Sequence, residues 1–224
     1  FGSLASIGGS SVAENEYLVN GLNITNFRNF TGSSSVPFEF YDVVEVKTGG
    51  YQAEFGKAIG GVVNAVTKSG SNEWKAGVNV SYYPDSFYHD KPNTYSSLND
   101  QDTRDYMEYN VSLSGPIIPD RAFFYILANP VDNQTSDTAI SGNRTDSNLQ
   151  EDFFGAKLDF YITEDIHLEY TFFNDDSMGE NLSFDSTGTQ IGTSFNNVGG
   201  DNEILKLSAV LTDRLTAAAT MGKN

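Results

Sequence analysis

From residue 74 onward, apolar and polar side chains alternate with period two in one run after another. Trp74, Ala76, Val78, Val80 and Tyr82 share one face of the first run, and Lys75, Gly77, Asn79 and Ser81 share the other. The same division sets Tyr109, Val111 and Leu113 against Asn110, Ser112 and Ser114, and sets Phe154, Ala156, Leu158 and Phe160 against Gly155, Lys157 and Asp159. It continues with Ile166, Leu168, Tyr170 and Phe172 against His167, Glu169 and Thr171. Two further runs put Leu205, Leu207, Ala209 and Leu211 opposite Lys206 and Ser208, and Leu215, Ala217, Ala219 and Met221 opposite Thr216 and Thr220. Strict alternation predicts β-strands with one apolar face. Residues 122–131 are less clean, being apolar on both faces near Phe123 to Leu127.

Turn signals between the runs predict two kinds of connection. Residues 115–121 (GPIIPDR) and 163–165 (TED) are short, whereas residues 83–106, 132–151 and 174–202 are long. Short turns at one end and long loops at the other are the pattern of an outer-membrane barrel. Tyr82, Tyr83, Tyr106, Tyr109, Phe153 and Phe154 fall near the predicted strand ends, where aromatic girdles would lie. A soluble sandwich also alternates, so the asymmetry of loop lengths, rather than any single strand, favours the membrane.

The first seventy residues have a different texture. Short β-rich runs at residues 43–46 and Val62–Thr67 flank a loop holding Gly49, Gly50, Gly56, Gly60 and Gly61. That density implies positive φ or very close approach of chain segments. Upstream, residues 1–15 read as a loop, 16–22 as a short strand and 23–35 as a polar loop. Residues 37–41 can open a single helical turn, since proline suits the first helical position. A short turn is expected at residues 53–57. A compact glycine-rich sheet running straight into amphipathic strands suggests a plug feeding a barrel.

Composition narrows the class. Aromatic residues make up 13% of the chain, with 16 Phe and 12 Tyr, yet mean hydropathy is slightly negative. No run of some 18 apolar residues offers a transmembrane helix; a β-barrel hides its membrane face in alternation. The absence of cysteine removes disulfides and thiolate metal sites. The chain starts at Phe1 rather than Met, which reads as a mature or partial chain, with partial favoured. The net charge of −17 excludes a polybasic nucleic-acid face, so no nucleic-acid partner is expected. The acids concentrate at residues 85–105 and 175–180 and read as solvated loops. NDQDTRD (99–105) and NDDSMGEN (174–181) carry oxygen ligands suited to Ca²⁺, but neither has EF-hand spacing, and no metal site or cofactor is assigned.

Catalytic chemistry is not indicated, and the chain is read as a non-enzyme. His89 and His167 are isolated and pair with no serine in a recognisable order. Glu39, Asp42 and Glu45 are close in sequence, but a strand sends alternate side chains to opposite faces. Asn-x-Ser/Thr triplets such as Asn23–Thr25 and Asn133–Thr135 are glycan acceptors only in a eukaryotic secreted chain.

The segments VEVKTGG (44–50), AEFG (53–56) and GGVVNAVTKSGSNEW (60–74) resemble the end of the plug domain of TonB-dependent outer-membrane receptors, in wording closest to the Oar-like group. SLSGPIIPDRAFFY (112–125) resembles that group's early barrel hairpin. The resemblance implies a mainly β chain: a small mixed plug sheet followed by antiparallel transmembrane strands, part of a barrel of roughly 22 strands. It places residues 1–72 in the C-terminal part of the plug and residues 73–224 in the first strands of the barrel, about seven by the periodicity. An open sheet of that size in lipid would leave backbone groups unsatisfied along both edges, so the resemblance implies a piece of a longer receptor.

The implied function is energised uptake or passage of a large or scarce solute. Its partners would be the TonB–ExbB–ExbD complex, acting on a segment upstream of Phe1, the outer-membrane lipid of a Gram-negative bacterium, and an extracellular cargo: polypeptide, glycan or siderophore. The plug loops implied to meet cargo carry Asn26, Arg28, Asn29, Tyr51, Gln52 and Phe55. Phe55 stands where many members place an aromatic before glycine. Arg28, the cation of its loop, suits an anionic cargo. The chain departs from the family at Val44 and Thr48, where many members carry basic residues. Any plug–barrel ion pair of Glu45 would then need another partner. The alternative is a non-transporting surface β protein, an adhesin or carbohydrate-binding module.

Overall fold

The computed structural model describes residues 6–25, 34–50, 60–89 and 91–224. Their strands form two separate sheets. The first holds β1 (Glu16–Val19), β2 (Leu22–Asn23), β3 (Tyr41–Lys47) and β4 (Val62–Thr67) in the order β2-β1-β4-β3. Its β1–β4 pair is parallel and the other two pairs are antiparallel, so the small sheet is mixed, as expected. The expected single strand over residues 16–22 is instead a hairpin. Asn20 (φ 48) and Gly21 (φ 88) reverse the chain after Val19, which is what an Asn-Gly pair does in a two-residue turn. A 3₁₀ turn at Phe38–Phe40 follows Pro37, in line with the proline signal. The described part of the loop expected over residues 1–15 contains a 3₁₀ turn, Val12–Glu14, closed by a reciprocal Ser11–Glu14 capping box. Gly61 lies so tightly against Ile7 that a Cβ there would overlap its side chain.

The second sheet has nine strands, and seven of them run in a continuous antiparallel path. In path order these are β5 (Lys75–Tyr83), β6 (Thr103–Ile118), β7 (Ala122–Thr138), β8 (Arg144–Thr163), β9 (Ile166–Asn174), β12 (Asp201–Thr212) and β13 (Leu215–Lys223). A further hairpin, β10 (Ser177–Phe184) with β11 (Gln190–Val198), pairs through β10 with the first half of β8. The turns of one end, residues 119–121, 164–165 and 213–214, are short, as expected.

The other end corrects the expected loops. Most of residues 132–151 continues β7 and β8, leaving only residues 139–143 as a connection, and residues 174–202 contain the β10–β11 hairpin. At ~3.3 Å per residue, β8 with its 20 residues is about 65 Å long. That is roughly twice the 9–11 residues a tilted strand needs to cross a bilayer.

The expected facing of the long strands holds through β8 and its neighbours. Lys157 and Asp159 are 2% and 3% exposed, while Leu158 and Phe160 between and beside them are 42% and 40% exposed. The buried face is the one that meets the small sheet. There Val19, Ile24, Val36, Phe40 and Ala65 of the first unit join Tyr125, Leu127, Phe153, Phe173 and Ile204 of the second in one core. The main core of the described residues thus lies between the two sheets. This explains why residues 123–127 are apolar on both faces: Tyr125 and Leu127 point into that core. It also corrects the girdle. Phe153 sits in the middle of β8 and is buried, Tyr106 turns inward to Glu108, and Tyr82, Tyr109 and Phe154 remain on the outer face.

Candidate functional site

Three contacts stand out where the two units meet. The first is an aromatic seam. Pro37 and the 3₁₀ turn after it aim the Phe40 ring into the large sheet, where its centroid lies 5.4 Å from Phe153, 6.0 Å from Tyr125 and 6.3 Å from Phe173. Gly155 makes room for it: a Cβ there would stand 2.6 Å from the Phe40 ring. Burying a phenylalanine side chain stabilises by about 1.5–3 kcal/mol, and each well-placed ring pair adds about 0.5–1.5 kcal/mol. The Tyr125 hydroxyl donates to the Glu39 carbonyl at 2.8 Å, so the ring's polar tip is satisfied as well.

The second is a buried amide. The Asn20 side chain donates to Thr67 Oγ1 at 2.8 Å within its own sheet and to Thr171 Oγ1 at 2.9 Å on β9. Its oxygen accepts from the Thr67 backbone N–H at 3.0 Å.

The third is a carboxylate, Asp175, at a double interruption. Residues 175–176 separate β9 from β10, and residues 199–200 separate β11 from β12. Gly199 turns with φ +100 directly against the Asp175 carbonyl, where a side chain would collide. Asp175 Oδ1 accepts from the Gly200 backbone at 3.2 Å and from Asn202 Nδ2 at 3.1 Å, while Oδ2 accepts from the Ser35 backbone at 2.9 Å. Burial holds the Asp175 carboxyl above the usual carboxylate range, although its three donors pull the other way. Burial also pushes the nearby Tyr41 hydroxyl up, with the Asp175 charge adding to the effect.

Cavities flank this carboxylate. One of about 400 Å³ is lined by residues of the 35–39 segment and by Tyr106, Glu108, Asn129, Glu151 and Phe153. Another, of about 540 Å³, lies toward Ile24, Thr25 and residues 198–202. Both touch Ser35, Glu151 and Asp175.

Residues 1–62 match the TonB-dependent receptor plug domain. A stretch of 128 residues is 34% identical to the TonB-dependent transporter Oar of Myxococcus xanthus, covering 54% of this chain and 12% of that protein. The whole arrangement resembles two solved receptors. One is the siderophore receptor PirA of Acinetobacter baumannii (TM-score 0.63, 18% identity, 97% of this chain and 32% of that one). The other is a mutant of the ferric enterobactin receptor PfeA of Pseudomonas aeruginosa (TM-score 0.61, 16% identity, 97% and 33%). At those identities the structures speak for the fold: a plug sheet against part of a barrel wall. The chain spans about a third of the length of either solved receptor and 12% of Oar.

Below the aromatic seam, the wall turns a charged patch toward the plug. Lys157 Nζ lies 2.9 Å from Glu169 Oε1 and 3.8 Å from Asp159 Oδ1, and Lys206 Nζ lies 3.2 Å from Glu169 Oε2. His167 Nε2 stands 3.1 Å from Asp159 Oδ1, and its ring stacks on Tyr161 at 4.2 Å. Asp159, His167 and Glu169 bring three ligand atoms within 4.8 Å of one another. Two ammonium groups already balance the two carboxylates, so a dication would leave the buried patch with excess positive charge. The arrangement suits a salt-bridge network and not a metal centre.

Asn26, Arg28, Asn29, Tyr51, Gln52 and Phe55, the residues implied to meet cargo, lie outside the described residues, as does the turn expected at residues 53–57. Glu45 finds its partner two residues along its own strand, with Lys47 Nζ at 3.6 Å. The sequence reading placed Asp175 in a solvated acidic loop and gave no role to Phe40 or Asn20. A signal for one of them was present: Asn20-Gly21 is a hairpin dipeptide.

Proposed function

We propose that this chain supplies plug and adjoining barrel wall to an outer-membrane receptor that takes up a large or scarce solute, energised by TonB–ExbB–ExbD. In this reading residues 1–72 belong to the plug and residues 73–224 to the wall, in the outer membrane of a Gram-negative bacterium. The observation that carries it is the seating of a separate mixed sheet on the polar-and-aromatic inner face of a wall whose outer face is apolar. A soluble sandwich buries the apolar faces of its two sheets against each other. Here Leu158, Phe160 and Leu207 face away from the small sheet, as lipid-facing residues of a barrel do. The open path from β5 to β13 needs further strands to satisfy both edges in a bilayer.

Cargo recognition is assigned to the plug loops carrying Asn26, Arg28, Asn29, Tyr51, Gln52 and Phe55. Aromatic and amide side chains there offer apolar area together with donors and acceptors. The cargo classes are polypeptide, glycan and siderophore. PirA and PfeA carry siderophore names, but their likeness to this chain supports the fold alone.

The test is uptake by the full receptor in its host, with and without TonB, and with Phe55 and Arg28 replaced by alanine together. Uptake that needs TonB, with cargo binding weakened at least tenfold in the double variant, is the expected result. TonB-independent uptake, or no uptake of any of the three cargo classes, would favour the surface-binding alternative. Unchanged binding in the double variant would show that these loops only seal the plug.

A further inference from the structure

On the outer face of β8 the apolar run Phe160, Leu158, Ala156 and Phe154 ends at the exposed Asp152. The same face continues to Asn148, about 20 Å along the strand from Phe154. The register of β7 and β10 with β8 sets Gln134, Asn148 and Glu180 side by side there. Asp105 stands opposite Gln134 on β6, and Phe195 stands opposite Glu180 on β11. A cavity of about 210 Å³ lies over this row, with Asp105, Gln134, Asp146, Asn148 and Glu180 in its lining. Its rim is fixed by Asp146, which accepts from Ser136 Oγ at 2.7 Å and pairs with Arg144 at 2.9 Å. At its edge the Phe195 ring is 68% exposed. In its floor Asn148 Oδ1 is covered and accepts no hydrogen bond among the described residues. A covered acceptor without a donor costs stability, so the amide is better suited to a visitor than to the empty wall.

We propose that this cleft binds a saccharide, with Gln134, Asn148 and Glu180 on its hydroxyls and the Phe195 ring against its C–H face. Sugar hydroxyls both donate and accept hydrogen bonds, as amides do, whereas an ammonium ligand would leave the donors of Asn148 unused. The χ2 angle of asparagine is broad, so a small rotation turns Asn148 Oδ1 onto a seated hydroxyl. A metal ion needs converging ligand atoms. Among the described residues these converge at Asp159, His167 and Glu169 on the inner face, and not at Asp105, Asp146 and Glu180. The exposed ring supplies the apolar area that a sugar's C–H face covers. The cleft is on the face turned away from the plug, so its ligand is not the cargo of the passage. The proposal takes from the plugged-receptor reading only which end of the wall stands outside the membrane. A sugar carried by a neighbouring membrane lipid and a free oligosaccharide offer the same chemistry.

The experiment is titration calorimetry of the full receptor in detergent with three probes. These are lipids extracted from the host's outer membrane, the oligosaccharides released from them by mild acid, and polylysine. The unaltered receptor is expected to bind the released oligosaccharides. Asn148→Leu should weaken that binding about tenfold, the worth of one or two hydrogen bonds. Phe195→Ala, at an exposed position, should weaken it about fivefold. Because Asn148→Leu removes an unmet acceptor, its melting temperature should be no lower than that of the unaltered receptor, which separates lost recognition from lost folding. The same weakening with the intact lipids assigns the sugar to the surrounding membrane; weakening with the released oligosaccharides alone assigns a free saccharide. No binding of either saccharide probe, affinity unchanged by either substitution, or polylysine bound in preference to both would overturn the site. TonB-dependent uptake should be the same in both variants as in the unaltered receptor, so the transport reading stands or falls on its own test.

Discussion

The plug is held to the wall in two ways that differ in kind. On one side Phe40 is wholly buried among Tyr125, Phe153 and Phe173, over a wall glycine that gives it space. On the other, the Ser35 N–H donates to the Asp175 carboxylate between two cavities, next to the buried Val36. Parting the seam exposes rings to water and leaves a void. Parting the Asp175 contact exchanges a hydrogen bond for water, at a net cost of about 1.5–3 kcal/mol for a charged partner before burial is counted. The difference teaches that apolar burial registers the plug at one place and a polar contact at another.

Removing the ring tests the strong side. Phe40→Ala should lower the unfolding free energy of the reconstituted receptor by about 3–5 kcal/mol, read from denaturant melts in lipid vesicles. A loss below about 1 kcal/mol would mean that the seam is not what seats the plug. Lys157→Met should cost nearly as much, about 3–5 kcal/mol, because Asp159 and Glu169 would keep their buried charge with one cation gone. Replacing Lys157, Asp159 and Glu169 together by apolar residues of similar volume should recover most of that loss. If it does not, the patch has a role beyond its own charge balance.

Gly155→Val is a finer cut at the same seam. Overpacking against Phe40 should cost about 1–3 kcal/mol, and combining it with Phe40→Ala should give back part of the loss, a coupling that a double-mutant cycle measures. Additive costs would show that Gly155 and Phe40 do not press on each other.

The smallest effect concerns protons on the outer hairpin. Hydrogen bonds from Thr187 and Thr189 hold the exposed Asp185 carboxyl below the usual range at the β10–β11 turn. Its stabilisation is therefore present above the unfolded value of about 3.9 and lost as pH falls through the lower folded value. Asp175 has the opposite sign. Its contribution is full below about 3.9 and lost as pH rises through the raised folded value. Carbon-13 titration of labelled aspartates should find Asp175 taking up its proton before Asp185 as the pH is lowered. The reverse order would remove burial as the feature that separates the two.

How much of this was legible in the sequence depends on what each residue faces. The switch at Lys157 and Leu158 was readable because a covered polar face and an exposed apolar face impose period two. Residues 132–138 escaped because both faces of that extension meet water, so Asp132, Asn133, Gln134 and Thr135 alternate with nothing apolar and look like a loop. Of Phe38 and Phe40, only the second is buried, and a 3₁₀ turn has no alternation from which to choose. Asp175 was unreadable as a contact because its donors Ser35 and Gly200 lie 140 and 25 positions away. The cargo-loop residues were named from resemblance and lie outside the described residues, so they stand as proposals.

The central claim, a plug seated inside a wall that faces lipid, is tested most directly at Leu158. The chain contains no cysteine, so with any cysteine elsewhere in the full receptor replaced by serine, Leu158→Cys can carry a single spin label in outer-membrane vesicles. Collision with oxygen, which concentrates in lipid, should dominate over collision with a water-soluble nickel chelate. A label relaxed mainly by the chelate would place Leu158 in water and contradict the account.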